Sequence, residues 1–277
     1  MFFYKNWDNF CKCIISNKLL TCTAEQAITR PSDKRFIVLK HDVESSVSKA
    51  YKLASIEHKY GICGSFYVQA YLMNDSDNIR MLKEMQSWGH EISYHYDVLD
   101  ANAGDFEKAE SDFLKFMNVF YANGFNFKTI CQHGNPVKNR VGYTSNRDFF
   151  RNPEIRRHFH SLVDVVVNFS QYIQQEYKYI SDAGYKWNII TEPETNDLHP
   201  DVKNIPIGDF RKLSKLLVEE NISLIISTHP HRWARFSVSI YLRIVFFRMI
   251  RTVVMAMREI PVIEKLLNKF YYLAKKI

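Results

Sequence analysis

The chain has 277 residues, 46% hydrophobic and 24% charged, which fits one large folded domain and excludes disorder over most of its length. Its formal charge of +7 sits at one end: from Arg232 onward ten Lys/Arg stand against two Asp/Glu, so the body before it is slightly acidic. Confinement of the net positive charge to the tail argues against a nucleic-acid partner and for an anionic membrane surface.

The start, Met1-Phe2-Phe3-Tyr4-Lys5-Asn6-Trp7-Asp8, lacks the basic end, apolar core and cleavage site of a signal peptide. Cys11, Cys13, Cys22, Cys63 and Cys131 are odd in number and show no zinc-knuckle spacing, and Cys11-x-Cys13 is a poor clamp. Reduced thiols in the cytoplasm are the expectation, peripheral at the inner membrane face if the tail meets lipid.

Residues 1–34 read as a lead-in of short helical patterns. From there to 235, strand and helix patterns alternate. Phe36 to Lys40 predicts a strand, and Ser45 to Tyr60 a helix with Ala50, Leu53, Ala54 and Ile56 on one face. Gly64 to Ala70 predicts a second strand, Asp77 to Trp88 a helix stopped by Gly89, and Glu91 to Tyr96 a third strand. A long helix from Asp105 to Ala122 and a strand from Phe127 to Cys131 follow. Further on, Leu162 to Asn168, Tyr177 to Ile180 and Ile222 to Ile226 read as strands, Ile207 to Glu219 as a helix, and Trp187 to Asn204 as a loop. Such alternation implies parallel strands with crossover helices. The expected fold is α/β: a distorted (β/α) barrel of about seven parallel strands with a C-terminal helical extension.

The extension, 236–277, is of different material. Aliphatic and aromatic residues dominate from Phe236 to Leu267, interrupted by Arg243, Arg248, Arg251 and Arg258. A spanning helix needs about 20 mostly apolar residues, and each Arg at the bilayer centre costs about 3 kcal/mol. The segment therefore reads either as an in-plane amphipathic helix on anionic lipid or as a helix packed on the domain or in a dimer interface.

Four polar segments each follow an apolar run: His41-Asp42-Val43-Glu44; His95 in Gly89-His90-Glu91-Ile92-Ser93-Tyr94-His95; His133 in Cys131-Gln132-His133-Gly134-Asn135; and His229 in Ser227-Thr228-His229-Pro230-His231. Strand ends converge on one rim of a parallel barrel, where such folds keep their chemistry. Asp42, Glu44, His95 and His133 offer the mixed oxygen and nitrogen donors of an open catalytic metal site. Any one segment by itself reads as a cap or a satisfied histidine; four in equivalent positions read as a site. His41, His90 and His231 are read as loop-orienting.

In order and spacing, these segments resemble the polysaccharide deacetylases of the NodB-homology type, carbohydrate esterase family four, over roughly residues 36 to 233. Phe36 to Glu44 resembles the first motif, Gly61 to Val68 the following strand, Gly89 to His95 the second motif, Tyr179-Ile180-Ser181-Asp182 through Trp187 a later aspartate and tryptophan motif, and Ile226 to Pro230 the last. The resemblance implies removal of an acyl group, N-acetyl above all, from a sugar of a cell-surface polysaccharide or its precursor, as in lipopolysaccharide or capsule biosynthesis. It implies a divalent metal, zinc first, Asp42 as catalytic base, and His229 as general acid supported by Asp182. Trp187, Trp233 and Asn135 are the candidate substrate contacts, the tryptophans with core packing as their other reading. The chain departs from the pattern in three places. Leu99 stands where a second metal histidine is usual, Asp42-Val43-Glu44 replaces an Asp-Asp pair, and the third motif has no arginine. His133, with Glu44, is expected to complete the metal shell, while Asp42 serves as base, ligand or both. An incomplete shell would instead make the chain a glycan-binding or assembly protein, and an amidohydrolase acting on a non-sugar amide is the other alternative.

Overall fold

The computed structural model describes residues 2–29, 34–135, 138–199 and 201–235, and Val245, Met249 and Thr252 singly. The tail expectations for 236–277 otherwise lie outside the described residues, as does Pro136 next to Asn135.

Strands β1 (Ile37–Val43), β2 (Ser65–Val68), β3 (Glu91–Tyr96), β4 (Thr129–Gln132) and β5 (Val163–Asp164) lie side by side. Beyond β1 the order continues through β9 (Ser223–Thr228), β6 (Tyr177–Ser181), β7 (Trp187–Ile190) and β8 (Ile205–Gly208). From β5 to β6 every pairing is parallel, seven strands in all; β7 and β8 add antiparallel. No ladder joins β5 to β6 among the described residues. Their inner faces nevertheless share one buried cluster of Val38, Tyr67, Cys131, Val163, Tyr179 and Ile225, and Phe169 packs edge-on against Tyr177 at 5.9 Å. The sheet thus curls into an incomplete barrel whose seam is bridged by side chains rather than backbone hydrogen bonds.

The helices in chain order are α1 (Tyr4–Ser16), α2 (Ala24–Thr29), α3 (Val47–Lys59), α4 (Ser76–Ser87), α5 (Val98–Ala101), α6 (Phe106–Ala122), α7 (Arg147–Arg151), α8 (Pro153–His158) and α9 (Phe210–Glu219). Side-chain caps start α3 (Ser46), α4 (Asp75), α6 (Asp105) and α9 (Asp209), each accepting a free N–H of the first turn. Gly89, just past α4, takes φ +93°, the left-handed turn glycine makes without strain. The lead-in is part of the body: Trp7, Phe10, Cys11 and Ile14 of α1 share a core with Leu213 and Leu217 of α9 and with Ile37 and Leu39. Helix α2 closes the barrel floor, where Ala24 N–H donates to Ser65 Oγ (2.8 Å) and Glu25 N–H to Glu91 Oε2 (3.1 Å).

Several boundaries differ from the sequence reading. β1 and β3 run through their polar segments, so Asp42 and His95 lie within strands, not after them. The Leu162–Asn168 strand is only two residues long, because Asp164 Oδ1 accepts the N–H groups of Val166 (2.7 Å) and Val167 (3.0 Å) and turns the chain. The Trp187–Asn204 loop begins as β7, and the Ile207–Glu219 helix is β8 followed by α9.

Candidate active site

Alternation along β1 sets the site. Ile37 and Leu39 point into one core and Val38 into the barrel interior, so Lys40 and Asp42 follow Val38 inward while His41 turns out. Glu44, just beyond the strand, is fixed by the Tyr71 hydroxyl, which donates to its carbonyl (2.5 Å). On β3 the inward residues are Glu91, Ser93 and His95, and on β4 Thr129 and Cys131, with His133 next above.

Glu44, His95 and His133 are buried and bring one ligand atom each within 4.8 Å of one another. His133 Nε2 lies 3.2 Å from Glu44 Oε1. His95 Nδ1 donates to the Cys131 carbonyl (3.1 Å), which leaves Nε2 as the bare nitrogen; that atom is buried and has no hydrogen-bond partner. Burial pushes the His95 imidazole down to about 3, so it stays neutral, the form that ligates metal. A carbonyl-oriented histidine with an unpartnered nitrogen facing a second histidine and a carboxylate fits a divalent metal. His133 is clamped from behind: its N–H donates to Tyr96 O (2.7 Å), and its carbonyl accepts from Asn146 Nδ2 (2.8 Å). Asn146 is held by Asp100, which Arg140 grips with two 2.7 Å bonds; Arg140 also reaches the Asn135 carbonyl (2.9 Å). Leu99, at the usual histidine position, is core.

Across the pocket, His229 Nδ1 donates to Asp182 Oδ1 (2.5 Å). Its Nε2 faces Asp42 Oδ2 at 3.9 Å and Glu44 Oε1 at 3.7 Å. Asp182 is fully buried, yet its carboxyl is held well below the usual range: burial would raise it, but the Arg232 and His229 charges and hydrogen bonds override that. Arg232 Nη1 lies 2.6 Å from Asp182 Oδ1, and Thr228 Oγ1 donates to Oδ2 (2.7 Å). Asp42 shows the same contest. Burial works to protonate it, but Lys40, His95 and His229 bring it down to about 2, so it is ionised.

Asp42, Glu44, His95, His133, His229 and Asp182 therefore meet in one place. The tryptophans do not. Trp233 is wholly buried against Phe2, Trp7 and Phe210, and Trp187 is 3% exposed against Phe2 and Phe210. Neither has a face for a sugar, which corrects the stacking-wall expectation; indole burial in an aromatic core is the stronger pull. Trp233 still bears on the site, since its Nε1–H donates to Thr228 Oγ1 (2.7 Å) and so supports Asp182. His41 and His90 flank the buried Glu57, and His90 Nδ1 also accepts the N–H of Gly64 in the loop before β2 (2.9 Å), while His231 lies at the pocket edge, 4.0 Å from Glu44. Lys40, Ser227 and Arg232 were missed. Reading the period of two in β1 back from Asp42 finds Lys40; no local pattern marks the other two.

No family model matches the chain, and no curated protein matches it significantly. Among solved structures it is similar to a family 4 carbohydrate esterase from Streptomyces lividans in complex with acetate (10% identity over 72% of this chain and 80% of that one, TM-score 0.44). It is also similar to the catalytic domain of peptidoglycan N-acetylglucosamine deacetylase from Eubacterium rectale ATCC 33656 (15% identity, 79% and 86% covered, TM-score 0.44). A third likeness is to peptidoglycan deacetylase PdaC from Bacillus subtilis (12% identity, 82% and 98% covered, TM-score 0.39). Likeness this distant does not decide activity.

Proposed function

We propose that this chain is a metal-dependent deacetylase that removes an N-acetyl or related acyl group from a sugar of a cell-surface polysaccharide or its precursor. One observation carries the reading: a two-histidine, one-carboxylate triad, Glu44–His95–His133, lies beside an ionised carboxylate, Asp42, and a carboxylate-backed imidazole, His229. Amide or ester hydrolysis needs an activated water, a stabiliser for the oxyanion and an acid for the leaving group.

Glu44, His95 and His133 would hold the metal, with zinc the candidate that best suits two imidazoles and one carboxylate. When bound, such an ion lowers the pKa of a coordinated water from 15.7 to about 7 and polarises a carbonyl. The remaining work falls to the chain's own groups. Asp42 accepts the proton of the attacking water. His229, kept in orientation by Asp182, delivers a proton from Nε2 to the departing nitrogen. The 3.9 Å gap between them is one a water or reacting atom bridges. Asn135, two residues past His133, and His231, 4.0 Å from Glu44, are the candidate contacts to the sugar. The basic segment 236–277 would hold the protein at an anionic inner membrane surface, close to lipid-linked precursors; no helix of the described residues is long and apolar enough to cross a membrane.

The test is acetate release from N-acetylated sugar oligomers by the zinc-loaded protein, compared with the Glu44→Ala and His133→Ala variants. The reading expects release by the wild type and its loss in both variants. Zinc binding and oligomer binding without release would make the chain a binding-only protein. Release from simple amides in preference to every sugar would make it a non-sugar amidohydrolase.

A further inference from the structure

His95 belongs to two donor triads. Besides Glu44–His95–His133 there is a deeper one, Asp42–His95–Cys131, whose ligand atoms also lie within 4.8 Å of one another. On donor chemistry alone the deeper triad is the more attractive to zinc, because it adds a sulfur to an imidazole and a carboxylate. It also lies next to a cation. Lys40, 1% exposed, forms an ion pair with Asp42 Oδ1, and its Nζ donates to Ser227 Oγ at 3.3 Å. The ammonium lies 5.4 Å from the Tyr67 ring centre and 5.9 Å from that of Tyr179, within the range of cation–π attraction. The Ser227 hydroxyl donates to the other Asp42 oxygen at 3.3 Å.

Building on the metal-site reading above, we infer that Lys40 is a positioning and selectivity residue: its ammonium fills the charge position of the inner triad, keeps a divalent ion in the outer one, and leaves Asp42 free to act as base. The geometry gives the reason. A dication bound by Asp42, His95 and Cys131 would share its carboxylate with an ammonium that is buried in the barrel. The like charges would repel in a medium of low dielectric. At the outer triad Glu44 supplies a carboxylate that is not committed to Lys40. The two acids thereby divide the labour: Asp42 of β1 is paired with a fixed internal cation, and Glu44, just beyond the strand, would serve the metal.

Cobalt(II) titration of the metal-free protein tests this, because a thiolate bound to cobalt gives an intense charge-transfer absorption in the near ultraviolet that nitrogen and oxygen donors lack. The expected wild-type result is one bound ion without that absorption, with unchanged affinity in Cys131→Ser. The Lys40→Met variant should gain the thiolate absorption, and the Lys40→Met/Cys131→Ser double variant should lose it again. A thiolate band in the wild type, or binding weakened about tenfold or more in Cys131→Ser, would overturn the proposal. So would a folded Lys40→Met protein without the band; if Lys40→Met does not fold, the wild type and Cys131→Ser decide alone. A wild type that binds no cobalt, or whose binding ignores His133→Ala, would instead overturn the metal-site reading itself.

Discussion

Strand β1 carries a histidine–carboxylate cluster on each of its two faces, and their differences separate chemistry from architecture. On the outer face His41 Nε2 lies 2.8 Å from Glu57 Oε1, which also accepts from Trp7 Nε1 (2.9 Å). The His41 ring stacks on Phe66 at 4.2 Å. His90 uses both ring nitrogens, accepting from Gly64 N–H (2.9 Å) and donating to Ala54 O (3.2 Å). The His41, His90 and Glu57 side chains have no exposure at all. On the inner face the same residue types meet at a pocket that reaches solvent through His229, whose side chain is 12% exposed, and His95 presents a nitrogen without a partner. Residue type does not mark the site. Access to solvent does, because the outer face also holds buried ring nitrogens, those of His41, without a hydrogen-bond partner.

The largest expected effect is on the inner face. His229→Ala should lower turnover by about 10²- to 10⁴-fold, the usual contribution of a general acid, while metal content and thermal stability stay near wild type. Loss of metal in that variant would make His229 a ligand. The outer face should respond in the opposite sense. Glu57→Ala strips the buried Trp7 indole of its acceptor and His41 of its carboxylate partner and should cost about 3–5 kcal/mol of stability, with activity per folded molecule little changed. A Glu57 variant with normal melting and lost turnover would erase the contrast between the faces.

Another buried carboxylate, on the barrel floor, sharpens the comparison through pH. Burial pushes Glu91 up to about 7 from an ordinary 4.5, although Thr129, Ser65 and the Glu25 N–H bond it. The native state therefore holds its proton more tightly than the unfolded chain. That stabilisation is complete below about pH 4.5 and is lost as pH rises through 7, by about 3 kcal/mol for the full shift. Unfolding of wild type and Glu91→Gln in urea at pH 5 and pH 8 checks it: the variant should lack this part of the decline. Parallel pH dependence in the two would mean that Glu91 is ionised in the fold. The smallest effect is expected at Asn146, which touches no reacting atom. Asn146→Ala should loosen the His133 carbonyl and weaken zinc binding about tenfold, whereas an equal loss on the outer face, for instance in His90→Gln, would not fit.

Much of the barrel was legible because hydrophobic alternation and helix stops act locally. Ser46, Asp105 and Gly89 mark their helix ends in the sequence, and Glu91–Tyr96 reads as a strand at both ends. β8 was hidden in the Ile207–Glu219 pattern, since Ile205, Pro206 and Gly208 pair with β7 across a long loop that no local period reveals. At the site, Asp42, Glu44, His95, His133 and His229 stood out by their position in the chain relative to strands. Their supports did not. Arg232 reaches back 50 residues to Asp182, and Asn146 holds a carbonyl 13 residues away; such contacts exist only after folding. Trp187 and Trp233 were misleading because an indole beside a polar segment looks alike in sequence whether it faces a sugar or a core.

The central claim is that Glu44, His95 and His133 hold one divalent ion. Calorimetric titration of metal-free protein with zinc tests it most directly. One ion per chain is expected for the wild type, with binding lost in Glu44→Ala, His95→Ala and His133→Ala and kept in Cys131→Ser. No binding by the wild type, or binding that survives His133→Ala and Glu44→Ala but fails in Cys131→Ser, would contradict it.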